Sequence, residues 1–369
     1  MTTRYAIVGA GMMGGEHVRN VALLDDCAVT AIVEPDAAMR ETSAALCEKL
    51  FGARPAVFES HRDLRDVDAV VVAAPNHRHI DIMRDLLPGS LPILCEKPVG
   101  LDANEVLELL ALARGRAAPV WVAMEYRYMA PVERLLQAVR ERTKGRLAML
   151  AIREHRFPFL PKVSDWNRFS RNTGGTLVEK CCHFFDLMRL VTGAEPVRVY
   201  ASGGCDVNHL HERYDGHAPD ILDNALTIVD FDNGVRASLD LCMFAEGSRW
   251  QEIVTATCEH GQIAALVPGP QRFDPNSKAR APEFRVTDRA TKFEERHLMP
   301  VPPDILEAGD HQGSTFEQHR RFLRCIREGT APEVTLRDGA IAVIVGAAAE
   351  ESVRSGQAID LRPRLEVVA

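Results

Sequence analysis

A chain of 369 residues exceeds what one hydrophobic core usually organises, so two domains are expected; 46% apolar and 26% charged residues are ordinary for a soluble globular protein. The net charge of −8 offers no attraction to nucleic acid or an anionic membrane, and no apolar run is long enough to span a bilayer. Nine cysteines without paired or metal-type spacing are expected as reduced thiols, and the N-terminus enters a strand directly with no signal peptide, so a cytoplasmic protein is expected.

The first apolar run, Tyr5 to Val8, leads into Gly9-Ala10-Gly11-Met12-Met13-Gly14, after which Val18, Val21, Ala22 and Leu24 recur at helical spacing. Strand, glycine turn and helix in that order give G-x-G-x-x-G its meaning as a dinucleotide site. Gly9 permits the tight turn, Gly11 lets the backbone approach a pyrophosphate, and Gly14 lets the helix pack close to the strand. The phosphates would sit at the helix N-terminus beside Met12 and Met13, where free N–H groups and the dipole favour an anion. A second strand over 28–33 ends in Glu34, about 20 residues beyond the third glycine, where a carboxylate accepts hydrogen bonds from ribose hydroxyls. It would also repel a 2′-phosphate, so NAD is expected over NADP. The plainer alternative is loop glycines and a turn acid before Pro35.

A helix over 37–50 and a short strand at 56–58 follow, then a β-branched strand over 68–74 closed by Pro75-Asn76-His77-Arg78-His79. A short helix over 80–87, a strand over 91–95, a helix opened by Asp102 with Glu105 at capping-box spacing, and a strand over 119–124 complete the set. Strands alternating with helices and no hairpin signals predict an α/β fold, with a parallel, doubly wound Rossmann sheet in residues 1–125. In residues 126–369 the pattern changes. A helix over 131–143 precedes long alternating strands over 147–157, 197–203 and 224–231, and Asp232-Asn233-Gly234 is a hairpin turn into 235–244. Strands near 250–257, 261–267, 283–287 and 292–298 predict an open, mostly antiparallel sheet. One helix over 175–191 lies between them, and helices over 313–328 and 337–355 end the chain, the last expected to pack back on the first domain. The uncovered face of such a sheet suggests self-association.

Ligands of a doubly wound sheet bind outside the carboxyl ends of its strands, so the glycine turn, residues 74–79 and Glu96-Lys97-Pro98 should converge. A lysine in a partly desolvated cleft can have a lowered pKa and hydrogen-bond a reacting oxygen. Alternatively, Glu96-Lys97 is a solvated turn capped by Pro98. The second constellation is Gly174-Gly175-Thr176-Leu177-Val178-Glu179-Lys180-Cys181-Cys182-His183-Phe184-Phe185-Asp186. If it is one helix, Glu179 and His183 are i and i+4, and the carboxylate can orient an acid/base imidazole, with Asp186 as a second orienter. A surface ion pair is the bland alternative, but a stretch apolar nearly all round is expected to be buried. Cys181 and Cys182 point apart on a helix and read as buried thiols. His209, His211 and His217 near Glu212 and Asp220 fit no zinc spacing, so no metal is expected. Their loop, 206–223, could border the substrate through Tyr214 and Asp215. His319, Arg320, Arg321 and Arg324 read as a solvated basic face.

Together, G-A-G-M-M-G, A-P-N-H-R-H, E-K-P, E-Y-R-Y and G-G-T-L-V-E-K-C-C-H-F-F-D resemble the Gfo/Idh/MocA family of nicotinamide-dependent oxidoreductases over essentially the whole length. The resemblance implies a Rossmann domain, a C-terminal α/β domain with an open sheet, and action on a secondary alcohol or carbonyl of a sugar, sugar derivative or cyclitol by a homodimer or homotetramer. It places the E-K-P lysine on Lys97 and the helix histidine on His183. Glu179 stands where the family commonly has aspartate, its extra methylene shifting the carboxylate by about 1 Å, a scale that matters to a rate. Ala74, Pro75, Asn76, His79 and Glu96 fall in segments that line the cofactor in relatives. Glu125 and Arg127 fall near the nicotinamide end. Trp166, Asn167 and Arg168 resemble the family's tryptophan loop, which meets cofactor and substrate, and the Lys97–Pro98 bond is cis in some relatives.

The expected function is therefore NAD-dependent hydride transfer, with His183 taking the hydroxyl proton, Lys97 polarising the oxygen, and Glu179 orienting His183 and contacting a substrate hydroxyl. Two other classes remain: an NAD-using glycoside hydrolase or lyase without net redox change, and a dinucleotide-binding regulator without turnover.

Overall fold

The computed structural model describes residues 2–274 and 280–368. β1 (Thr3–Val8) is apolar and buried from Tyr5 to Val8, as a strand covered by helices on both faces requires. It is joined by β2 (Cys27–Val33), β3 (Ala56–Phe58), β4 (Ala69–Val72), β5 (Ile93–Cys95) and β6 (Val120–Val122). The order is β3-β2-β1-β4-β5-β6, and all neighbours are parallel. Strand order reverses between β1 and β4, and a crevice opens there at the strands' carboxyl ends. The connecting helices are α1 (Met12–Val21), α2 (Ala37–Phe51), α3 (His79–Leu86) and α4 (Ala103–Leu112). Asp36 caps α2 and Asp102 caps α4 through their side chains, whereas α1 begins at Gly11 with no side-chain cap.

After α5 (Ala130–Arg140) comes β7 (Leu147–His155), then three helices: α6 (Ser170–Thr173), α7 (Thr176–Glu179) and α8 (Cys182–Thr192). The remaining strands are β8 (Pro196–Gly204), β9 (Asn224–Phe231), β10 (Arg236–Cys242), β11 (Glu252–Cys258), β12 (Gly261–Val267), β13 (Glu283–Asp288), β14 (Glu294–Leu298) and β15 (Ile359–Asp360). Among the described residues they form a sheet ordered β14-β13-β12-β11-β7-β10-β9-β8-β15, antiparallel except at β7–β10. Residues alternate along its central strands. Val199, Val229, Leu239 and Ile152 point into the core, and Tyr200, Leu226, Ile228 and Met149 stay exposed on the other face.

The helix expected over 175–191 is broken. The Cys181 N–H reaches Thr176 O at 3.4 Å, and the ladder restarts with Phe184 and Phe185 donating to Cys181 O. The break turns Glu179 out of the i, i+4 register with His183 that a continuous helix would have given.

The last helices bind the two sheets together. After α9 (Pro303–Ala308), α10 (Ser314–Glu328) packs on α1, and α11 (Leu336–Ser355) packs on α4 and β6 as well as on α7, α8 and β8. α11 comes close because it carries glycine at two contacts. A Cβ on Gly339 would lie 2.9 Å from the Val122 methyls, and one on Gly346 would lie 2.6 Å from Leu177 O. One turn on, Glu350 accepts the Leu177 N–H at 2.9 Å and so caps α7. Gly346→Val should push α11 off the helix that carries Glu179 and cost about 1–3 kcal/mol. Urea denaturation measures this; an unchanged midpoint would mean that the contact is slack.

Candidate functional site

At the crevice, Gly9 has φ +102° and its N–H donates to Val33 O at 2.8 Å. A Cβ there would lie 2.6 Å from the Ala73 and Ala74 backbone, and one on Gly14 would lie 2.0 Å from Gly9 O. Neither position admits a side chain. A Cβ on Gly11 would meet nothing within 4 Å, because this residue faces an open groove of about 1250 Å³. The glycine turn, Met12 and Met13 line that groove, with the uncapped first turn of α1 behind them. Glu34 lies at its edge, accepting the Ala10 N–H at 2.9 Å and the Asp36 N–H at 3.0 Å. Ala74, Pro75 and Asn76 line it too, and Asn76 Nδ2 is buried without a partner. An open turn, unpaired helix N–H groups and an orphaned amide donor fit a dinucleotide diphosphate and its amide-bearing end.

Glu96 and Lys97 line the inner end, and the Lys97–Pro98 peptide is cis. Lys97 Nζ donates to Glu179 O at 3.1 Å. Burial opposes its charge, but Cys182, Glu96, Glu179 and Glu125 outweigh that, so its pKa is raised, not lowered as expected from a desolvated cleft. Lys97 is held as a cation. Burial would raise Glu96, but a hydrogen bond from His17 Nε2 at 3.0 Å holds it low. His17 Nδ1 in turn lies 2.8 Å from His319 Nε2. Donors and acceptors match along the chain when His17 donates to Glu96 and accepts from His319.

His183 lies behind the groove wall and is only 2% exposed. Its ring is stacked on Tyr126, centroids 4.2 Å apart and planes 6° apart, and Nδ1 has no partner. Burial, and then the charges of Lys97, Lys180, His311 and Arg156, push its pKa well below 6.5. The imidazole is neutral. Its facing carboxylate is Glu125, with Oε1 3.8 Å from Nε2, so Glu179 does not orient it. Glu179 lines the groove instead, raised to about 7 by burial against the pull of Lys97 and Lys162. Glu125 is also raised to about 7, by burial and by Glu96, and it faces His311 Nε2 at 4.0 Å.

Several sequence candidates do other work. Arg127 is not in the groove: it forms a buried two-point ion pair with Asp186 and donates to Glu333 O at 2.9 Å. That pair occupies Asp186 as well, which is therefore no orienter of His183. His79 does not line the groove either, because its ring is wedged between Pro98 O and Ala74 O, 2.8 Å from Nδ1 and 2.9 Å from Nε2, and donates to one of them. In the tryptophan loop Trp166 reaches the groove, edge-on to His77. Asn167 and Arg168 turn inward, Asn167 to Leu160 O at 3.0 Å and Arg168 to Glu212 at 3.0 Å. Tyr214 and Asp215 also line the groove, and no group of histidines, cysteines and carboxylates among the described residues is placed to hold a metal. His319 is fully buried, although Arg320, Arg321 and Arg324 form ion pairs with Glu317, Glu133 and Glu333. Thr315, His319 and Phe322 share the inward face of α10, a helical spacing that signalled the burial.

Residues missed from the sequence are Lys162, which crosses the groove to within 3.9 Å of Met12 Sδ, Tyr126, Lys180 and His311. No periodic pattern marks them, since their partners lie far along the chain. His311 Nδ1 contacts Glu16 Oε1 at 2.7 Å. Burial opposes the His311 charge, but Glu16 lifts its pKa to about 9; burial likewise opposes Glu16, which His311 holds at about 2.

Residues 3–124 match the family model described as "Oxidoreductase family, NAD-binding Rossmann fold", and residues 137–361 match "Oxidoreductase family, C-terminal alpha/beta domain". Myo-inositol 2-dehydrogenase of Thermotoga maritima is 24% identical over 97% of this chain and 98% of its own. An inositol 2-dehydrogenase of Pseudarthrobacter chlorophenolicus is 32% identical over 53% of this chain and 55% of its own. In three dimensions, levoglucosan dehydrogenase in complex with NADH and levoglucosan superimposes with a TM-score of 0.81 at 18% identity, covering 98% of this chain and 99% of that one.

The Glu16–His311 pair should imprint a pH dependence on stability. His311 contributes fully below its ordinary value of 6.5, and its share is lost as pH rises through about 9. Glu16 contributes above 4.5, and its share is lost as pH falls through about 2. The urea midpoint of His311→Gln should therefore fall less between pH 6.5 and 9 than that of the unaltered protein; parallel curves would contradict the pairing.

Proposed function

The chain belongs to the Gfo/Idh/MocA oxidoreductase family, with an NAD-binding Rossmann domain, and from that premise we propose that it oxidises or reduces one secondary alcohol or carbonyl of a sugar, sugar derivative or cyclitol. When bound, NAD supplies the hydride acceptor or donor at the nicotinamide C4. The glycine turn, Met12 and Met13 would hold the diphosphate, Glu34 the adenosine ribose, and Ala74, Pro75, Asn76 and Trp166 the further length of the dinucleotide. Glu34 disfavours a 2′-phosphate, which supports NAD over NADP.

The chemistry assigned to the chain's own residues divides by charge. Lys97, a cation facing the groove, hydrogen-bonds the reacting oxygen and stabilises the negative charge that develops on it. His183, kept neutral by burial and by the charges of Lys97 and Lys180, takes the hydroxyl proton in the oxidative direction and returns it in the reductive one. Glu179, on the groove wall, contacts a substrate hydroxyl; the neighbour that faces His183 is Glu125. The observation that carries this is Lys97 Nζ, placed at the inner end of the groove 3.1 Å from Glu179 O, where its charge bears on the buried imidazole of His183 and favours the neutral form. Relatives named for inositol oxidation support the cyclitol class. The hydrolase and regulator alternatives have no observation of their own in their favour.

Incubation of the protein and NAD with a panel of inositols and monosaccharides should give absorbance at the NADH band with at least one of them. Lys97→Met and His183→Ala should each lower kcat by about 10²–10⁴-fold while dinucleotide binding, followed by fluorescence, is retained. Product without NADH would identify the hydrolase instead, and full activity in either variant would remove that residue from the chemistry.

The exposed face of the second sheet carries Tyr200, Leu226, Ile228 and Met149, with Leu226 64% exposed. Tyr200 and Ile228 stand opposite each other across the β8–β9 pair with Leu226 two residues along, and exposed apolar side chains so placed support a homodimer or homotetramer formed through this face. Sedimentation equilibrium at micromolar concentration should report an oligomer that Leu226→Lys/Ile228→Lys weakens; a monomer would refute the assignment.

A further inference from the structure

Lys180 is a buried lysine with no part in the chemistry above, its pKa lowered by burial and by Arg156 against the pull of Glu154 and Glu252. It follows Glu179 where the helical ladder opens between α7 and α8, and it does not line the groove. Its Nζ lies 2.6 Å from the Tyr126 hydroxyl and 2.9 Å from Glu154 Oε1. Tyr126 is the ring on which His183 is stacked. Glu154, Lys180, Tyr126 and His183 thus form one contiguous row from β7 to the imidazole.

The row matters because of what His183 lacks. Nδ1 has no hydrogen-bond partner among the described residues, and Nε2 is 3.8 Å from the Glu125 carboxylate, beyond hydrogen-bond reach. Among the described residues no hydrogen bond sets the plane of the ring. The stack does, and a charge-assisted hydrogen bond from Lys180 tethers the phenol that forms it. A burial so costly to an ammonium is offset by Glu154, which stands opposite Glu252 in the β7–β11 pair, with Arg156 3.3 Å from Glu154.

We propose that Lys180 is a positioning residue for His183, acting through Tyr126. The inference rests on His183 being the acid/base group. Holding the phenol holds the imidazole face, and displacement of a reacting group by about 1 Å costs up to about 100-fold in rate. Lys180 also acts at a distance. The charged and titratable groups that bear on His183 are Lys97, Lys180, His311, Arg156 and Glu125; the four cations disfavour imidazolium, and Lys180 is one of the two strongest of them. One side chain therefore supplies both the orientation and part of the neutrality that a proton acceptor needs.

The test compares Lys180→Met, Lys180→Arg and the double variant Lys180→Met/Glu154→Gln. The double variant removes the carboxylate that the single one strands, so a failure to fold cannot hide the result. In the apo protein, side-chain nitrogen NMR should show the His183 titration moved to higher pH in both Met variants and restored in Lys180→Arg. With NAD and an alcohol that the unaltered protein oxidises, kcat should fall about tenfold in the Met variants, with the acid limb of its pH profile displaced upward and KM for NAD near the original. Unchanged His183 titration and kcat in the double variant would overturn the proposal, as would a Lys180→Arg protein that behaves like the Met variants. If the unaltered protein oxidises no alcohol, the acid/base role of His183 falls, and the titration alone then decides whether Lys180 sets that ring.

Discussion

The positive charge on Lys97 is the constraint around which this site is arranged. An ammonium at the buried end of a groove should lose its proton, yet Glu96, Glu179 and Glu125 stand near enough to keep it. The same charge bears on His183 and, with burial, keeps that imidazole neutral. A cation to hold an oxygen and a neutral base to take its proton are thus two consequences of one placement. The carboxyls answer in kind: Glu125 and Glu179 are lifted to about 7, while Glu96 is held low by His17. Perturbed groups gathered in one cleft are what an acid/base site requires.

So many buried polar groups persist only because rigid elements hold them in pairs. Arg127 and Asp186 lock the segment after β6 to α8, Glu350 of α11 caps α7, and Glu16 of α1 clasps His311 ahead of α10. The first and third of these ties link the first sheet's layer to the second half of the chain, and the second holds α11 against α7 within that half. Removing one partner of such a pair leaves an uncompensated buried charge, a larger loss than the pair itself is worth. The glycines at 339 and 346 belong to the same design, since they bring α11 close enough for its carboxylate to reach.

Local chemistry made much of this visible in the sequence. The β-branched runs, the glycine turn and the Asp232-Asn233-Gly234 hairpin depend on neighbours in the chain, and each sits where its pattern put it. The glycines at 9 and 14 meet backbone within 2.6 Å, which is why no other residue could stand there. The site was harder to read. Glu179 and His183 were four residues apart in a pattern that looked helical, but the ladder opens at Cys181 and hands the facing role to Glu125, which lies on another element. Arg127, Arg168 and His79 carry motif positions, and in the fold each is spent on a carboxylate or carbonyl far away in sequence. Pairings of that kind leave no periodic trace. Lys180 and His311 escaped notice for the same reason, and His319 was read as part of a solvated face although it shares an inward helical spacing with Thr315 and Phe322.

Direct observation of protonation at the two nitrogen groups bears most closely on this account. Side-chain nitrogen NMR of the unaltered apo protein at pH 7 should show Lys97 as an ammonium and His183 as a neutral imidazole. A Lys97 amine at that pH, or a charged His183, would contradict the division of labour from which the proposed chemistry follows.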